Sequence, residues 1–97
     1  MEKGRMNACE RLVAATLIEI MKAKGEIALQ EIDLVEDETL RGKDFALFGL
    51  SSLDWMELAS RVEKLAGVEL DDAVMIDPEI RSIAGWSACL YRAGALS

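Results

Sequence analysis

Apolar residues recur at three- and four-residue steps along three stretches of this chain, and no stretch alternates as a strand does. The three stripes are Cys9, Leu12, Val13, Thr16, Leu17, Ile20 and Met21; then Trp55, Leu58, Ala59, Val62, Leu65 and Ala66; then Trp86, Leu90 and Tyr91. Residues at these steps share one face of a helix, and that face is stable only when it is buried against another element. The pattern predicts an all-α protein, a small four-helix bundle.

Capping residues and glycines predict where the helices begin and end. Asn7 is a candidate N-cap of the first helix, and Gly25 is its stop signal. Gly67 ends the second helix, and Ser82 is a good N-cap for the last one. The predicted helices span residues 7–24, 51 or 52 to 66, 71–76 and 83–92.

A long connection over residues 26–50 separates the first two long helices. Asp37 to Leu40 predicts a brief helical turn within it, because a connection of this length is usually functional or has some structure of its own. The 97 residues suffice for one domain. We expect residues 1–6 and 93–97 to be flexible tails.

The charge pattern excludes one class of function. The net charge is −7, with 11 basic and 18 acidic residues, whereas binding to nucleic-acid phosphates needs clustered Lys and Arg. The longest apolar run, from Leu12 to Ile18, is far shorter than the roughly 20 residues that span a bilayer. No signal peptide is recognisable at the start, so we expect a cytoplasmic protein with no membrane span.

Missing residue types exclude much catalytic chemistry. The chain contains no histidine, so it has neither a Ser-His-Asp triad nor an imidazole ligand for a metal. Cys9 and Cys89 match no metal or redox spacing, and both lie on apolar helical faces. We therefore expect no metal site and no self-contained enzyme.

The start of the second long helix is the candidate site. Ser51 and Asp54 fit a capping box, with Ser51 as the N-cap. Ser52 is then the first residue inside the helix, next to unpaired backbone amides and the positive end of the helix dipole, where a phosphate is favoured. The same pattern also fits a well-capped helix with no further role.

The wider sequence around this helix start resembles the acyl carrier protein family. The string from Leu47 to Leu58, LFGLSSLDWMEL, is similar to the family's signature, in which Asp-Ser-Leu follows a Leu-Gly turn and opens the second helix. Residues 61–70 resemble the family's helix end and exit loop, and residues 78–83 its lead-in to the last helix. The resemblance covers roughly residues 34–92.

This resemblance implies a covalent cofactor and a set of partner enzymes. A phosphopantetheinyl transferase would move 4′-phosphopantetheine from coenzyme A to Ser52, and the thiol of that arm would carry an acyl group as a thioester. The other implied partners are an acyl-loading ligase or acyltransferase and condensing or acyl-transferring enzymes. The protein itself would be a carrier and not an enzyme, and we expect it to be a monomer.

The resemblance also assigns roles to residues near Ser52. Asp54 and Glu57 match acidic positions that partner enzymes read, and Ser51 lies where the transferase docks. Leu53, Trp55 and Met56 are candidates for an acyl pocket or a partner contact, with ordinary packing as the alternative for Trp55 and Met56.

The chain departs from the family at two points. Ser51 replaces the usual aspartate, which keeps the cap but removes one negative charge. The second long helix is also less acidic than the family's habit, because three acids in it are offset by two bases.

The leading hypothesis is an acyl carrier protein of a specialised fatty-acid, polyketide or lipid-modification pathway. One alternative is an interaction module that keeps the fold without an arm. Another is a peptidyl or aminoacyl carrier, which differs only in its cargo.

Overall fold

The computed structural model of the chain describes residues 2–23, 25 and 31–95, and the side chains of residues 7–23, 25 and 33–95. Within these ranges the chain is helical and contains no strand, which confirms the predicted all-α class. The elements are α1 (Glu2–Ala23), α2 (Glu31–Glu36), α3 (Glu38–Arg41), a 3-10 turn (Phe45–Phe48), α4 (Ser52–Ala66), α5 (Asp72–Ile76) and α6 (Ile83–Arg92).

The first helix starts earlier than predicted. α1 begins at Glu2, so Asn7 is an exposed residue inside the helix and not its N-cap. The expected tail over residues 1–6 is helical over residues 2–6. The physical reason for the error is that the apolar stripe recognised in the sequence begins at Cys9, and Glu2 to Arg5 include no apolar side chain that would extend it.

The bounds of α4 and α6 are as predicted because local signals define them, and α5 starts at Asp72, one residue later than predicted. Gly67 follows α4 in the left-handed conformation, with φ 74°. The hydroxyl of Ser82 caps α6 by accepting a hydrogen bond from the Gly85 amide at 3.0 Å. Caps and glycines of this kind act over a few residues and can be recognised in the sequence.

The chain directly after α6 turns back against the core. Gly94 has φ 85°, and the amide of Ala95 donates to the carbonyl of Leu90 at 2.9 Å. Ala95 is buried. The expected tail over residues 93–97 is therefore a turn against the core over residues 93–95, and residues 96–97 lie outside the described residues.

The connection before α4 has more structure than a loop. The carboxylate of Asp37 accepts hydrogen bonds from the amides of Thr39 at 2.9 Å and Leu40 at 3.2 Å, which confirms a helical turn here. Leu34 and Val35 of α2 are buried and attach this segment to the core. Residues 26–30 of the predicted connection lie outside the described residues.

The core forms where α1 packs against α2, α4 and α6. Its fully buried side chains include Cys9, Val13, Leu17, Leu34, Phe45, Leu58, Val62, Ile83, Trp86 and Leu90. Trp86 connects several elements, since its ring meets Phe45 edge to face at 4.6 Å and its Nε1 donates to the carbonyl of Val74 at 3.3 Å. Among the described residues, no helix is long and apolar enough to cross a membrane.

The start of α6 lies so close to the preceding segment that a side chain does not fit. A Cβ atom at Gly85 would lie 1.9 Å from the carbonyl oxygen of Ile80. Glycine at this position is therefore a packing requirement of the turn between α5 and α6.

Candidate functional site

The N-terminus of α4 is closed by a complete capping box. The hydroxyl oxygen of Ser51 accepts a hydrogen bond from the amide of Asp54 at 3.3 Å. In return, Oδ2 of Asp54 accepts from the Ser51 amide at 2.9 Å and from the Ser51 hydroxyl at 3.0 Å. The predicted roles of Ser51 and Asp54 as helix cap are both present, and serine performs the capping without a charge of its own.

Ser52 is the first residue of α4, and its side chain is exposed. Among the described residues, no group hydrogen-bonds to its hydroxyl, because Ser51 satisfies the cap. The amides of Ser52 and Leu53 also have no acceptor within the described chain, as expected for the first turn of a helix. An accessible hydroxyl thus lies beside unpaired N–H groups at the positive end of the helix dipole, which fits a phosphate ester at this residue.

The turn before α4 positions this end of the helix. Gly49 has φ 85°, a left-handed conformation that favours glycine. Its neighbours Phe48 and Leu50 are buried, whereas Ser51 and Ser52 are exposed. The chain therefore leaves the core directly after Leu50 and presents the two serines at the surface.

An ion pair behind the turn ties it to the segment before α6. Nε and Nη2 of Arg81 donate to the two carboxylate oxygens of Asp44 at 2.6 and 3.2 Å. Oδ1 of Asp44 also accepts from the amide of Ala46, which caps the 3-10 turn. The Arg81 guanidinium lies 5.1 Å from the ring centroid of Trp55 in α4. Arg81 thus connects the turn, the start of α4 and the lead-in to α6.

The charges of this pair stabilise each other. The hydrogen bond from Arg81 lowers the pKa of the Asp44 carboxyl from its ordinary value of 3.8, against a smaller opposing effect of burial. The same hydrogen bond raises the pKa of Arg81. Both groups are therefore charged at neutral pH. Sequence reasoning missed the pair because 37 positions separate Asp44 from Arg81, and neither the cap at Asp44 nor the segment before α6 indicates the other partner.

The apolar candidates near Ser52 have two different environments. Trp55 is buried beneath Arg81 and is part of the core, whereas Leu53 and Met56 are 77% and 54% exposed. Leu47 in the 3-10 turn, which the sequence analysis did not single out, is 67% exposed. A solvent-facing leucine within a short apolar string carries no signal that distinguishes it from a core residue.

The acidic candidate on α4 is paired within the chain. Oε2 of Glu57 lies 2.7 Å from Nη2 of Arg61, one turn further along the helix. Further on, Oε2 of Glu63 accepts a hydrogen bond from the Leu70 amide at 2.6 Å. The site therefore combines a capped helix end, an exposed serine and carboxylates that already have partners. In the described part of the chain, no cluster of acids or cysteines is arranged to hold a metal ion.

The comparisons with known proteins agree with this geometry. Residues 26–90 match the family described as Phosphopantetheine attachment site, and the match includes the whole of α4. Neither the search of curated proteins nor the search of solved structures found a match. Domains of the matched family carry the phosphopantetheine group and are not catalysts themselves. Since the match spans most of the chain, the protein belongs to the phosphopantetheine attachment site family, whose domain is the site at which 4′-phosphopantetheine is covalently attached.

Proposed function

We propose that the chain is a single-domain acyl carrier protein whose arm is attached at Ser52. The observation that carries the proposal is the exposed Ser52 hydroxyl at the first position of α4, beside the unpaired amides of the first turn. The carrier works in the cytoplasm as a monomer and delivers acyl thioesters in a specialised fatty-acid, polyketide or lipid-modification pathway.

The attachment step uses few groups of this chain. Oγ of Ser52 forms a bond to the phosphorus next to the pantetheine of coenzyme A, and the bond from that phosphorus to adenosine 3′,5′-bisphosphate breaks. The hydroxyl proton passes to a base on the transferase. Ser51 and Asp54 keep the helix end closed while this happens, because neither cap hydrogen bond involves the Ser52 hydroxyl.

The arm supplies the thiol that forms the thioester, so the acyl chemistry belongs to the cofactor and to the partner enzymes. The chain supplies attachment, presentation and recognition. A phosphopantetheinyl transferase, an acyl-loading ligase or acyltransferase, and condensing or acyl-transferring enzymes are the partners. Glu57, with its Arg61 partner, lies on the same helix as Ser52 and belongs to the surface that these enzymes recognise.

Mass spectrometry of the protein co-expressed with phosphopantetheinyl transferases tests the attachment. We expect the mass to increase by one phosphopantetheine, and Ser52→Ala to abolish the increase. Ser60→Ala is the matched control, since it removes another exposed hydroxyl of α4 and must leave the modification in place. A modification that survives Ser52→Ala, or a wild-type protein that no transferase modifies, contradicts the proposal.

The second candidate is an interaction module that keeps the fold without an arm, and Ser51 in place of the family's aspartate favours it. It requires an unmodified protein that still co-purifies with an enzyme. A peptidyl or aminoacyl carrier shares the attachment chemistry, and loading assays with amino-acid and fatty-acid ligases separate it from an acyl carrier.

A further inference from the structure

The Arg81 side chain contacts both of the segments that flank Ser52. Its Nε and Nη2 hold the carboxylate of Asp44, which caps the 3-10 turn eight residues before Ser52. Its guanidinium also lies 5.1 Å from the ring centroid of Trp55, three residues after Ser52 on α4. One side chain from a remote part of the sequence therefore connects the chain before the candidate site with the chain after it.

Arg81 is itself held in a fixed orientation. Its third guanidinium nitrogen, Nη1, donates to the carbonyl of Ile76 at the end of α5 at 3.3 Å. Its backbone carbonyl accepts from the amide of Phe45 at 3.0 Å. Because all three nitrogens of the planar guanidinium donate within the chain, the group has little freedom to turn. Only 18% of the side chain is exposed, so Arg81 offers little surface to a partner enzyme.

Apolar burial does not replace this connection. Phe45, Phe48 and Leu50 are buried and attach the segment before Ser52 to the core. The free energy of apolar burial depends on the area removed from water and has no preferred direction. A bidentate pair of an arginine and a carboxylate, in contrast, sets both the distance and the angle between its partners. Without Arg81 the turn would therefore remain against the core, but its orientation relative to α4 would no longer be fixed.

Attachment of the arm depends on that orientation. Oγ of Ser52 must approach the phosphorus of coenzyme A in line with the bond that breaks. A displacement of about 1 Å can lower the rate of such a reaction about a hundredfold. The 3-10 turn and the first turn of α4 together determine where Oγ lies, and Arg81 joins the two.

We infer that Arg81, through its contacts with Asp44 and Trp55, is a positioning residue for the attachment reaction at Ser52. The inference rests on the proposed attachment at this serine. Arg81 acts on the rate of transfer within the complex and not on the affinity of the transferase, because its side chain is mostly covered.

Steady-state kinetics of the transfer from coenzyme A tests the inference, with the transferase that modifies the wild-type chain. Each variant is assayed at a temperature where circular dichroism shows that it is folded. Arg81→Gln is expected to lower kcat about tenfold and to change KM less than about threefold, since the orientation of Oγ matters in the transition state and not for binding. The double variant Asp44→Asn/Arg81→Gln should have a kcat within about twofold of Arg81→Gln, because both substitutions disrupt the same pair.

Arg41→Gln is the matched control. Arg41 likewise pairs with a carboxylate, that of Glu10 at 3.3 Å, and donates to a backbone carbonyl, that of Val35 at 2.9 Å. These contacts join α3 to α1 and α2 instead of the segments that flank Ser52. The kcat of Arg41→Gln is therefore expected to stay within about twofold of the wild-type value.

Hydrogen exchange of the unmodified chain gives a second readout. The amides of Phe45, Leu47 and Gly49 donate hydrogen bonds in and beside the 3-10 turn. They should exchange at least about tenfold faster in Arg81→Gln and at wild-type rates in Arg41→Gln, because of these two arginines it is Arg81 that holds the turn.

An unchanged kcat in Arg81→Gln, equal losses of kcat in Arg81→Gln and Arg41→Gln, or unchanged exchange of the turn amides overturns this inference but leaves attachment at Ser52 standing. Losses of kcat that multiply in the double variant overturn it in the same way. If the wild-type chain is never modified, the proposed function fails and the inference fails with it.

Discussion

Ser51 and Ser52 are identical residues in adjacent positions, and the start of α4 gives them different environments. The Ser51 hydroxyl accepts a hydrogen bond from the Asp54 amide and donates one to the Asp54 carboxylate, so both of its hydrogen bonds belong to the helix cap. The Ser52 hydroxyl is exposed and needed by no described residue. Ser51 is the helix cap and Ser52 is the first residue of the helix. This difference of one position leaves Ser51 engaged in the cap and Ser52 accessible to an enzyme.

Gly85 is a position where a single methyl group should decide stability. Gly85→Ala would place Cβ 1.9 Å from the carbonyl oxygen of Ile80, and the backbone must shift to relieve the overlap. We expect a loss of about 2 kcal/mol or more in the free energy of unfolding, measured by urea denaturation followed by circular dichroism.

Gly42→Ala is the control for that measurement. A Cβ at Gly42 meets its nearest atom, the carbonyl oxygen of Glu38, at an ordinary contact distance of 3.5 Å. The φ of Gly42, −93°, is also accessible to alanine. The free energy of unfolding of the Gly42→Ala variant should stay within about 0.5 kcal/mol of the wild-type value. Equal losses for the two variants would contradict the role given to the close approach at Gly85.

At the scale of elements, the segment before α4 and the segment before α6 hold each other in place. The amide of Phe45 donates to the carbonyl of Arg81 at 3.0 Å, next to the pair between Asp44 and the Arg81 side chain. The side chains of this pair are each 18% exposed. The turn that presents Ser52 therefore depends on an interaction from a distant part of the sequence.

The Asp44–Arg81 pair makes stability depend on pH in the acid range. The folded-state pKa of Asp44 lies below its ordinary value of 3.8, so the contribution of the pair is complete above that pH and is lost as the pH falls towards the folded pKa. Asp44→Asn is expected to lower the free energy of unfolding by about 2 kcal/mol at neutral pH, because it removes a charged hydrogen-bond acceptor. Urea denaturation of both proteins from about pH 7 to about pH 3 measures the difference.

The difference in the free energy of unfolding between the wild type and Asp44→Asn should become smaller as the pH falls below the ordinary pKa of aspartate. Glu36→Gln provides a control, since Glu36 is an exposed acid of α2 in the same connection. The free energy of unfolding of Glu36→Gln should stay within about 0.5 kcal/mol of the wild-type value at each pH. An Asp44→Asn penalty that stays constant down to the lowest pH would contradict the assignment.

The elements differ in how well the sequence predicts them. α4 and α6 follow from caps and glycines that act within a few residues, α5 is followed by Asp77 and the helix-breaking Pro78, and α3 follows from the Asp37 cap. The start of α1 does not follow, because residues 2–5 contain no apolar side chain that would extend the stripe recognised in the sequence. The proximity of Asp44 to Arg81 arises only when the chain is folded, because 37 positions separate them, and the residue types from Ile80 to Gly85 do not indicate how closely that turn approaches α6.

For the whole molecule, charge and apolar surface both favour a single chain in solution. The described residues have a radius of gyration of 12.1 Å, close to the roughly 12.5 Å of a compact chain of 97 residues. The net charge of −7 makes copies repel each other. Five large apolar side chains are exposed among the described residues, too few to supply the 2,000 Å² or more, in total, that obligate homodimers commonly bury.

We therefore expect the protein to be a monomer at micromolar concentration. Size-exclusion chromatography with light scattering should give the mass of one chain in both dilute and physiological salt. A mass of two chains that appears only at high salt would mean that charge repulsion alone prevents association. A dimer under all these conditions would contradict the expectation.

The capping box at Ser51 also bears on how carriers diverge. Serine and aspartate cap a helix about equally well, so position 51 can exchange one for the other without disturbing α4. The exchange nevertheless changes the charge beside Ser52 by one unit. A mutation between serine and aspartate at this position can therefore change which partners recognise a carrier without changing the stability of its fold.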